Sequence, residues 1–309
     1  MLSIKEIKEK YKITPDKSRG QNFLIDGNVL AKIIEAGEVD SLDTVVEIGA
    51  GLGVLTSELV KKAGRVLAFE IDKKLAGILR QEIGGARNLE IFNEDGLEFI
   101  PEEFLDNSDG ESKAEGACAR EAGARVVSTA REAGACASAA RGDKVSKRGY
   151  KVMANIPYNI TSKILEKFLS LRPGPELIVL LVQKEVAERI CATAGKISLL
   201  SVVAQYYGEP RIVKIVSSAA FWPRPKVDSA ILAIKLKPKA TIKEEQNFLR
   251  LVKAGFKSRR KMLFKNLKSA FVEKELEIAF KAACVDKKAR AEELNLAQWL
   301  VLQKNLSIP

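Results

Sequence analysis

Up to Leu236 the chain alternates short apolar, β-branched runs with helical patterns. The runs are TVVEIG (44–49), RVLAFEID (65–72), NLEIFNED (88–95), YKVMAN (150–155), ELIVLLVQ (176–183), PRIVKIV (210–216) and SAILAIKL (229–236). VLTSELVKKAG and KKLAGILRQEIG separate the first three. Strands joined by helices of this length build βαβ units, and so a parallel sheet covered on both faces. The link SSAAFWPRPKVD between the last two runs is too short for a helical crossover, so the last strand is expected to run antiparallel. The fold class is therefore α/β: a doubly wound sheet of seven strands with the last one reversed. Beyond Leu236 only helical patterns remain, in EEQNFLRLVKAGF, RKMLFKNLKSAF, EKELEIAFKAA and NLAQWLVLQKNL. These predict a small all-helical domain at 239–309, following an α/β domain at 1–238.

Residues 107–148 fit neither pattern. They are rich in Ala, Gly, Ser and Arg and repeat AREAGA, which marks a low-complexity insert. The insert follows the third strand's helix and precedes the fourth strand, so it is expected at the N-terminal edge of the sheet. Ligands of such sheets bind at the other edge.

Composition narrows the chemistry. The chain has no histidine, which removes histidine general bases and nearly all catalytic zinc sites. Cys118, Cys136, Cys191 and Cys284 form no C-x-x-C pair, so no metal is expected and reduced thiols fit better. The longest apolar run, Leu177 to Val182, is far too short to span a membrane, and the charged N-terminus MLSIKEIKEKYKI lacks the apolar core of a signal peptide. A cytoplasmic location is expected. A net charge of +11 points to a polyanionic partner.

Two constellations carry chemistry. In VVEIGAGLGVLT, Gly49, Gly51 and Gly53 follow the first strand, where glycine lets the backbone turn sharply and approach a ligand. A dinucleotide site would place its third glycine at Val54, and Glu47 would repel a pyrophosphate. Glu70 ends the second strand, where a carboxylate can accept both hydroxyls of a ribose. Asp95 ends the third and can accept the amino group of an adenine. Each acid alone is also compatible with a solvated strand end or a helix N-cap. Together they suit a nucleoside that carries positive charge, which S-adenosylmethionine does.

The second constellation is ANIPYN, where the fourth strand ends. The Asn155 oxygen and a carbonyl freed by the turn can accept both hydrogens of an exocyclic amine. Pro157 fixes the corner and Tyr158 offers a ring for a base to stack on, although strand-end punctuation with Tyr158 in the core reads equally well.

N-I-P-Y after a G-x-G-x-G turn resembles the ribosomal RNA adenine N6-dimethyltransferase family, and in particular its KsgA-type, small-subunit branch. GQNFLID (20–26), FWPRPKVDSA (221–230) and FKSRRKMLFKNL (256–267) resemble further motifs of that family, so the likeness covers nearly the whole chain outside 107–148. It implies a Rossmann-like fold, S-adenosylmethionine as cofactor, and transfer of methyl groups to N6 of two adjacent adenosines near the 3′ end of small-subunit RNA. Carried over by residue, it makes Asn22 and Leu24 cofactor contacts, Gly49 and Gly51 the methionine-side turn, Glu70 the ribose ligand and Asp95 the adenine ligand. Asn155 is shared by cofactor and base, Pro157 shapes its corner, and Tyr158 and Phe221 are the walls that hold the flipped adenine. Between Leu251 and Ala270 there are seven basic residues and no acid. Of these, Arg259, Arg260, Lys261 and Lys265 are the expected RNA contacts, against the plain alternative of a solvated helix face. The implied partners are ribosomal RNA and an immature small subunit, met by a monomer. A large-subunit RNA methylase and a non-catalytic assembly factor of the same fold remain open at this point.

Overall fold

The computed structural model describes residues 4–16, 20–105, 149–156 and 160–307. Pro157, Tyr158 and the insert at 107–148 lie outside the described residues.

The sheet has seven strands: β2 (Thr44–Ile48), β3 (Arg65–Phe69), β4 (Leu89–Phe92), β5 (Tyr150–Asn155), β6 (Leu177–Gln183), β7 (Gly208–Val216) and β9 (Ser229–Leu236). Their order is β4-β3-β2-β5-β6-β9-β7, and β9 runs antiparallel to both β6 and β7, as the short link requires. The central strands β2, β3, β5, β6 and β9 are buried along most of their length because both faces are covered, whereas the edge strands β4 and β7 are only partly buried. Val46, Leu67, Val152 and Leu180 face one apolar cluster, closed by Ile164, Leu165 and Phe168 of α6 (Thr161–Ser170). Val45, Val66, Met153 and Val179 face the other. That second cluster is closed by Ile33 of α2 (Gly27–Ala36) and by Leu55 and Leu59 of α3 (Val54–Lys62). Successive residues of a strand point to opposite faces, so each run fills both layers at once.

Two features place the site. From β2 the chain winds outward through β3 and β4, then returns to the other side of β2 as β5. The crevice that binds ligands in such sheets opens where the winding reverses, here between the ends of β2 and β5. The second feature is a two-stranded ribbon formed by β1 (Phe23–Leu24) and β8 (Phe221–Trp222). Phe23 pairs with Trp222 and stacks on its ring, and Leu24 pairs with Phe221. The ribbon carries the GQNFLID stretch to the C-terminal edge of the sheet.

The N-terminal helix α1 (Ile4–Tyr11) is docked beside this edge. Ile7 is fully buried with Phe23, Leu52, Leu75 and Ile78. Lys10 Nζ and the Tyr11 hydroxyl both donate to Glu82 Oε1, at 2.8 and 2.7 Å.

The described residues that flank the insert lie at the opposite edge. Arg65, which opens β3, donates to the Phe104 carbonyl at 2.7 Å, and the Gly149 N–H donates to Glu176, just before β6, at 2.9 Å. Phe104 and Gly149 therefore hold the two flanks at the N-terminal ends of the strands, away from the crevice.

After β9 the chain is helical: α9 (Ile242–Gly255), α10 (Leu263–Leu267), α11 (Glu273–Ala282) and α12 (Leu296–Lys304). Phe248, Leu251, Leu263, Phe280 and Trp299 form their core. This core also takes Ile197 and Val202 from the α/β part, and Tyr206 stacks on Phe248 with ring centroids 4.0 Å apart. Val202 and Tyr206 belong to α8 (Leu199–Tyr207), which thus serves both layers. A polar knot sits beside it: Glu245 accepts from the Tyr207 hydroxyl and from Arg172 Nη2, the latter at 2.5 Å. Among the described residues no helix is long and apolar enough to cross a membrane.

Candidate active site

The end of β2 turns through three left-handed glycines, Gly49 (φ 72°), Gly51 (φ 58°) and Gly53 (φ 77°). A side chain at Gly49 would be strained in that conformation and would press on Ile156 Cγ2 at 3.3 Å. The turn is pinned to the neighbouring strand, since the N–H groups of Gly49 and Ala50 both donate to the Phe69 carbonyl, at 2.8 and 3.0 Å. Glu70 completes it. Its Oε2 accepts the Gly51 N–H and its Oε1 the Asp72 N–H, each at 2.8 Å. The carboxylate is thereby fixed at the end of β3.

These elements wall a cavity of about 380 Å³. Asn22, Leu24, Gly49, Gly51, Glu70, Asp95 and Asn155, proposed from sequence as cofactor contacts, all line it. Asp95 also caps the short turn Gly96–Glu98 by accepting the Leu97 N–H at 3.0 Å, so the capping alternative and the ligand role are compatible. Asn22 donates to the Gly20 carbonyl at 3.0 Å, which orients its amide. Asn155 is half-buried at the end of β5, paired in register with Leu181. Phe221 does not line the cavity. It is 4% exposed and packs in the cluster of Leu24, Val216 and Ala220. Arg259, Arg260, Lys261 and Lys265 are exposed, on and beside the loop between α9 and α10. The buried amide of Asn266 holds that loop, donating to the carbonyls of Gly255 and Ser258 at 2.7 and 3.0 Å.

Glu47 marks what the cavity is built for. It is 1% exposed, lines the cavity, and its Oε2 has no hydrogen-bond partner among the described residues. Burial pushes its carboxyl up to about 8; Thr56 opposes the rise, and the charge of Glu70 adds to it. An orphaned buried acceptor calls for a donor or a cation from a ligand. With Glu70, Glu94 and Asp95 the walls are strongly acidic. This donor set fits S-adenosylmethionine: Glu47 would take the cationic amino-acid end, Glu70 the ribose and Asp95 the adenine, and the glycine turn would let the backbone come close. Bound there, the group supplies a methyl carried on a positively charged sulfur. Sequence reasoning missed Lys163, which also lines the cavity, and Asn266, whose role shows only once its carbonyl partners are in place.

Fold and cavity together define a Rossmann-like methyltransferase. The family model "Ribosomal RNA adenine dimethylase" matches residues 14–307, and the chain belongs to that family. Membership makes it an S-adenosylmethionine-dependent adenine dimethyltransferase of ribosomal RNA. The chain is 37% identical over 304 residues to a Ribosomal RNA small subunit methyltransferase A of Dehalococcoides mccartyi, covering 97% of this chain and 91% of the relative. It is 33% identical over 303 residues to a protein of the same name from Clostridium botulinum, with 96% of each covered. Among solved structures it resembles the 23S rRNA methyltransferase ErmE, with a TM-score of 0.67 and 26% identity over 92% of this chain and 99% of that one. It also resembles a dimethyladenosine transferase from Plasmodium falciparum, with a TM-score of 0.64 and 25% identity over 91% and 95%.

Proposed function

We propose that this enzyme transfers methyl groups from S-adenosylmethionine to N6 of two adjacent adenosines near the 3′ end of small-subunit ribosomal RNA, twice each. On this reading it acts in the cytoplasm, as a monomer, on an immature small subunit. Residues 1–238 carry the chemistry, and residues 239–309 hold RNA through Arg259, Arg260, Lys261 and Lys265. The observation that carries the chemistry is the position of Asn155, at the end of β5 and in the wall of the same cavity as Glu70 and Asp95. An amine presented to Asn155 is thus next to the cofactor contacts.

The N6 lone pair of adenine is delocalised into the ring, so the amine is a poor nucleophile. Hydrogen bonds from N6–H to Asn155 Oδ1 and to the Ile156 carbonyl draw it toward a pyramidal, reactive shape. The methylated nitrogen is cationic and sheds its proton readily, so no strong base is needed, which agrees with a chain lacking histidine. Most of the acceleration comes from holding nucleophile and methyl group in line. The base has to leave its stack, and stacking on Tyr158 and Phe221 offsets roughly 1–3 kcal/mol of that cost. Phe221 is buried in this structure, so serving as a wall requires its ring to turn out of its cluster.

Labelled methyl transfer to unmethylated 30S and 50S particles, followed by mapping of N6,N6-dimethyladenosine, tests the assignment. Product confined to the 30S particle is expected. The likeness to ErmE favours a second reading, transfer to large-subunit RNA, and product confined to the 50S particle would establish it instead.

A further inference from the structure

Lys163 stands in the first turn of α6, eight residues beyond Asn155, and lines the cavity while remaining exposed. It is the one cation among the described residues of a wall whose other charged groups are Glu47, Glu70, Glu94 and Asp95. Among the described residues no ion pair or side-chain hydrogen bond engages it, although four carboxylates share the cavity. Its position also goes against helix electrostatics. The N-terminal turn of a helix favours acids and disfavours cations. The first turn of α6 has no acid, and its N-cap, Ile160, offers no side-chain cap. A local rule broken with no compensating contact is the pattern expected of a residue kept for a ligand.

The ligand must be an anion, and the reaction offers two: the carboxylate of the cofactor's amino-acid end and the phosphodiesters of the RNA. Glu47 argues against the first. Its orphaned, buried oxygen lies on β2 beneath the glycine turn and draws the cofactor's cationic end, with the carboxylate one carbon away, to that floor. Lys163 is at the exposed rim, on the helix that follows the Asn155 corner. That is where a strand delivering a base from solvent must pass.

We propose that Lys163 is a positioning residue for the RNA strand, its ammonium holding the phosphodiester next to the adenosine that enters the cavity. This rests on the reading of Asn155 as the place where the amine is held. The contact adds no chemistry at the reacting atoms. It sets how far the nucleotide can be drawn in, and it neutralises the repulsion between the RNA backbone and an acidic mouth.

The test is steady-state methyl transfer to unmethylated 30S particles at several salt concentrations, with S-adenosylmethionine affinity measured separately by calorimetry. Lys163→Gln is expected to raise KM for the particle about tenfold with kcat little changed. The dependence of log KM on log salt should become shallower by about one unit, the loss of one phosphate contact. Lys163→Arg should restore KM, and S-adenosylmethionine affinity should not move. Lys167→Gln, one turn farther along α6, controls for a general loss of positive charge and should change KM less than about twofold. The proposal is overturned by a fall in cofactor affinity in Lys163→Gln, by an unchanged KM, or by equal losses in the two glutamine variants. Wild-type protein that methylates neither ribosomal particle would instead remove the reading of function, and this proposal with it.

Discussion

The Gly51 N–H donates to Glu70 Oε2 at 2.8 Å, so the residue proposed to hold the ribose also holds the glycine turn. Affinity and local order are therefore coupled at one carboxylate. Glu70→Ala should weaken S-adenosylmethionine binding about tenfold to a hundredfold, the range for losing hydrogen bonds to a charged group, roughly 1.5–3 kcal/mol. It should also lower the melting temperature without ligand, since Gly51 and Asp72 lose their acceptor. Calorimetric titration and a thermal melt measure the two effects. A variant with normal affinity would show that the turn stands without Glu70 and that the ribose is held elsewhere.

Glu47 predicts a pH dependence. Burial raises its carboxyl to about 8, so the folded protein keeps a proton that the unfolded chain releases near the ordinary value of about 4.3. A raised folded-state value means that the stability contribution is fully present below about 4.3 and is lost as pH rises through about 8. Cation binding runs the other way, because the ligand pairs with the ionised form. Affinity for S-adenosylmethionine should climb between pH 6 and pH 9, with proton release visible as a buffer-dependent heat of binding. Glu47→Gln should flatten both dependences. A wild-type affinity that stays level over that range would place the cationic end elsewhere.

Why some of this was legible in the sequence and some was not has a physical basis. The central strands were readable because both-face burial demands continuous apolar runs, and the reversed last one because SSAAFWPRPKVD cannot hold a crossover helix. The residues at strand ends were readable because topology alone brings Gly49, Glu70, Asp95 and Asn155 to one edge. The β1–β8 ribbon was not, since two residues on each side carry no period and the partners are distant in sequence. Nor was the sharing of α8, whose pattern shows that Val202 and Tyr206 are apolar but not which layer they serve. Phe221 shows the limit of a motif: it names a residue type and place, whereas burial depends on what packs over the ring.

Asn155 separates binding from chemistry. On the proposed reading it accepts N6–H from the base, and it also lines the cavity proposed to hold the cofactor. Asn155→Ala should lower kcat by at least about a hundredfold, the scale of misplaced reacting groups, while S-adenosylmethionine affinity falls much less. Single-turnover methyl transfer from preloaded enzyme isolates the step. Near-normal single-turnover rates would remove Asn155 from the reaction.

The last prediction concerns the basic loop. Arg259, Arg260 and Lys261 sit on a segment tied down by one buried side chain, Asn266, through two carbonyl contacts at 2.7 and 3.0 Å, beside the backbone bond from the Lys261 N–H to the Ser258 carbonyl. Asn266→Ala removes both contacts and leaves the Gly255 carbonyl without its donor, while the Ser258 carbonyl keeps the Lys261 N–H at 3.1 Å, at a cost of about 1–3 kcal/mol in stability. The charges remain, but their spacing is no longer set. Phosphate contacts position an RNA only when their geometry is fixed in advance, since ordering a loop on binding consumes affinity. The variant should therefore bind unmethylated 30S particles several-fold more weakly while S-adenosylmethionine affinity is unchanged, because the cavity draws no wall from this loop. Comparison with Arg259→Ala/Arg260→Ala separates the two contributions. If Asn266→Ala keeps full particle affinity while the arginine variant loses it, charge alone suffices and the order of the loop is irrelevant. If both lose it, the buried amide holds the RNA-facing surface in shape.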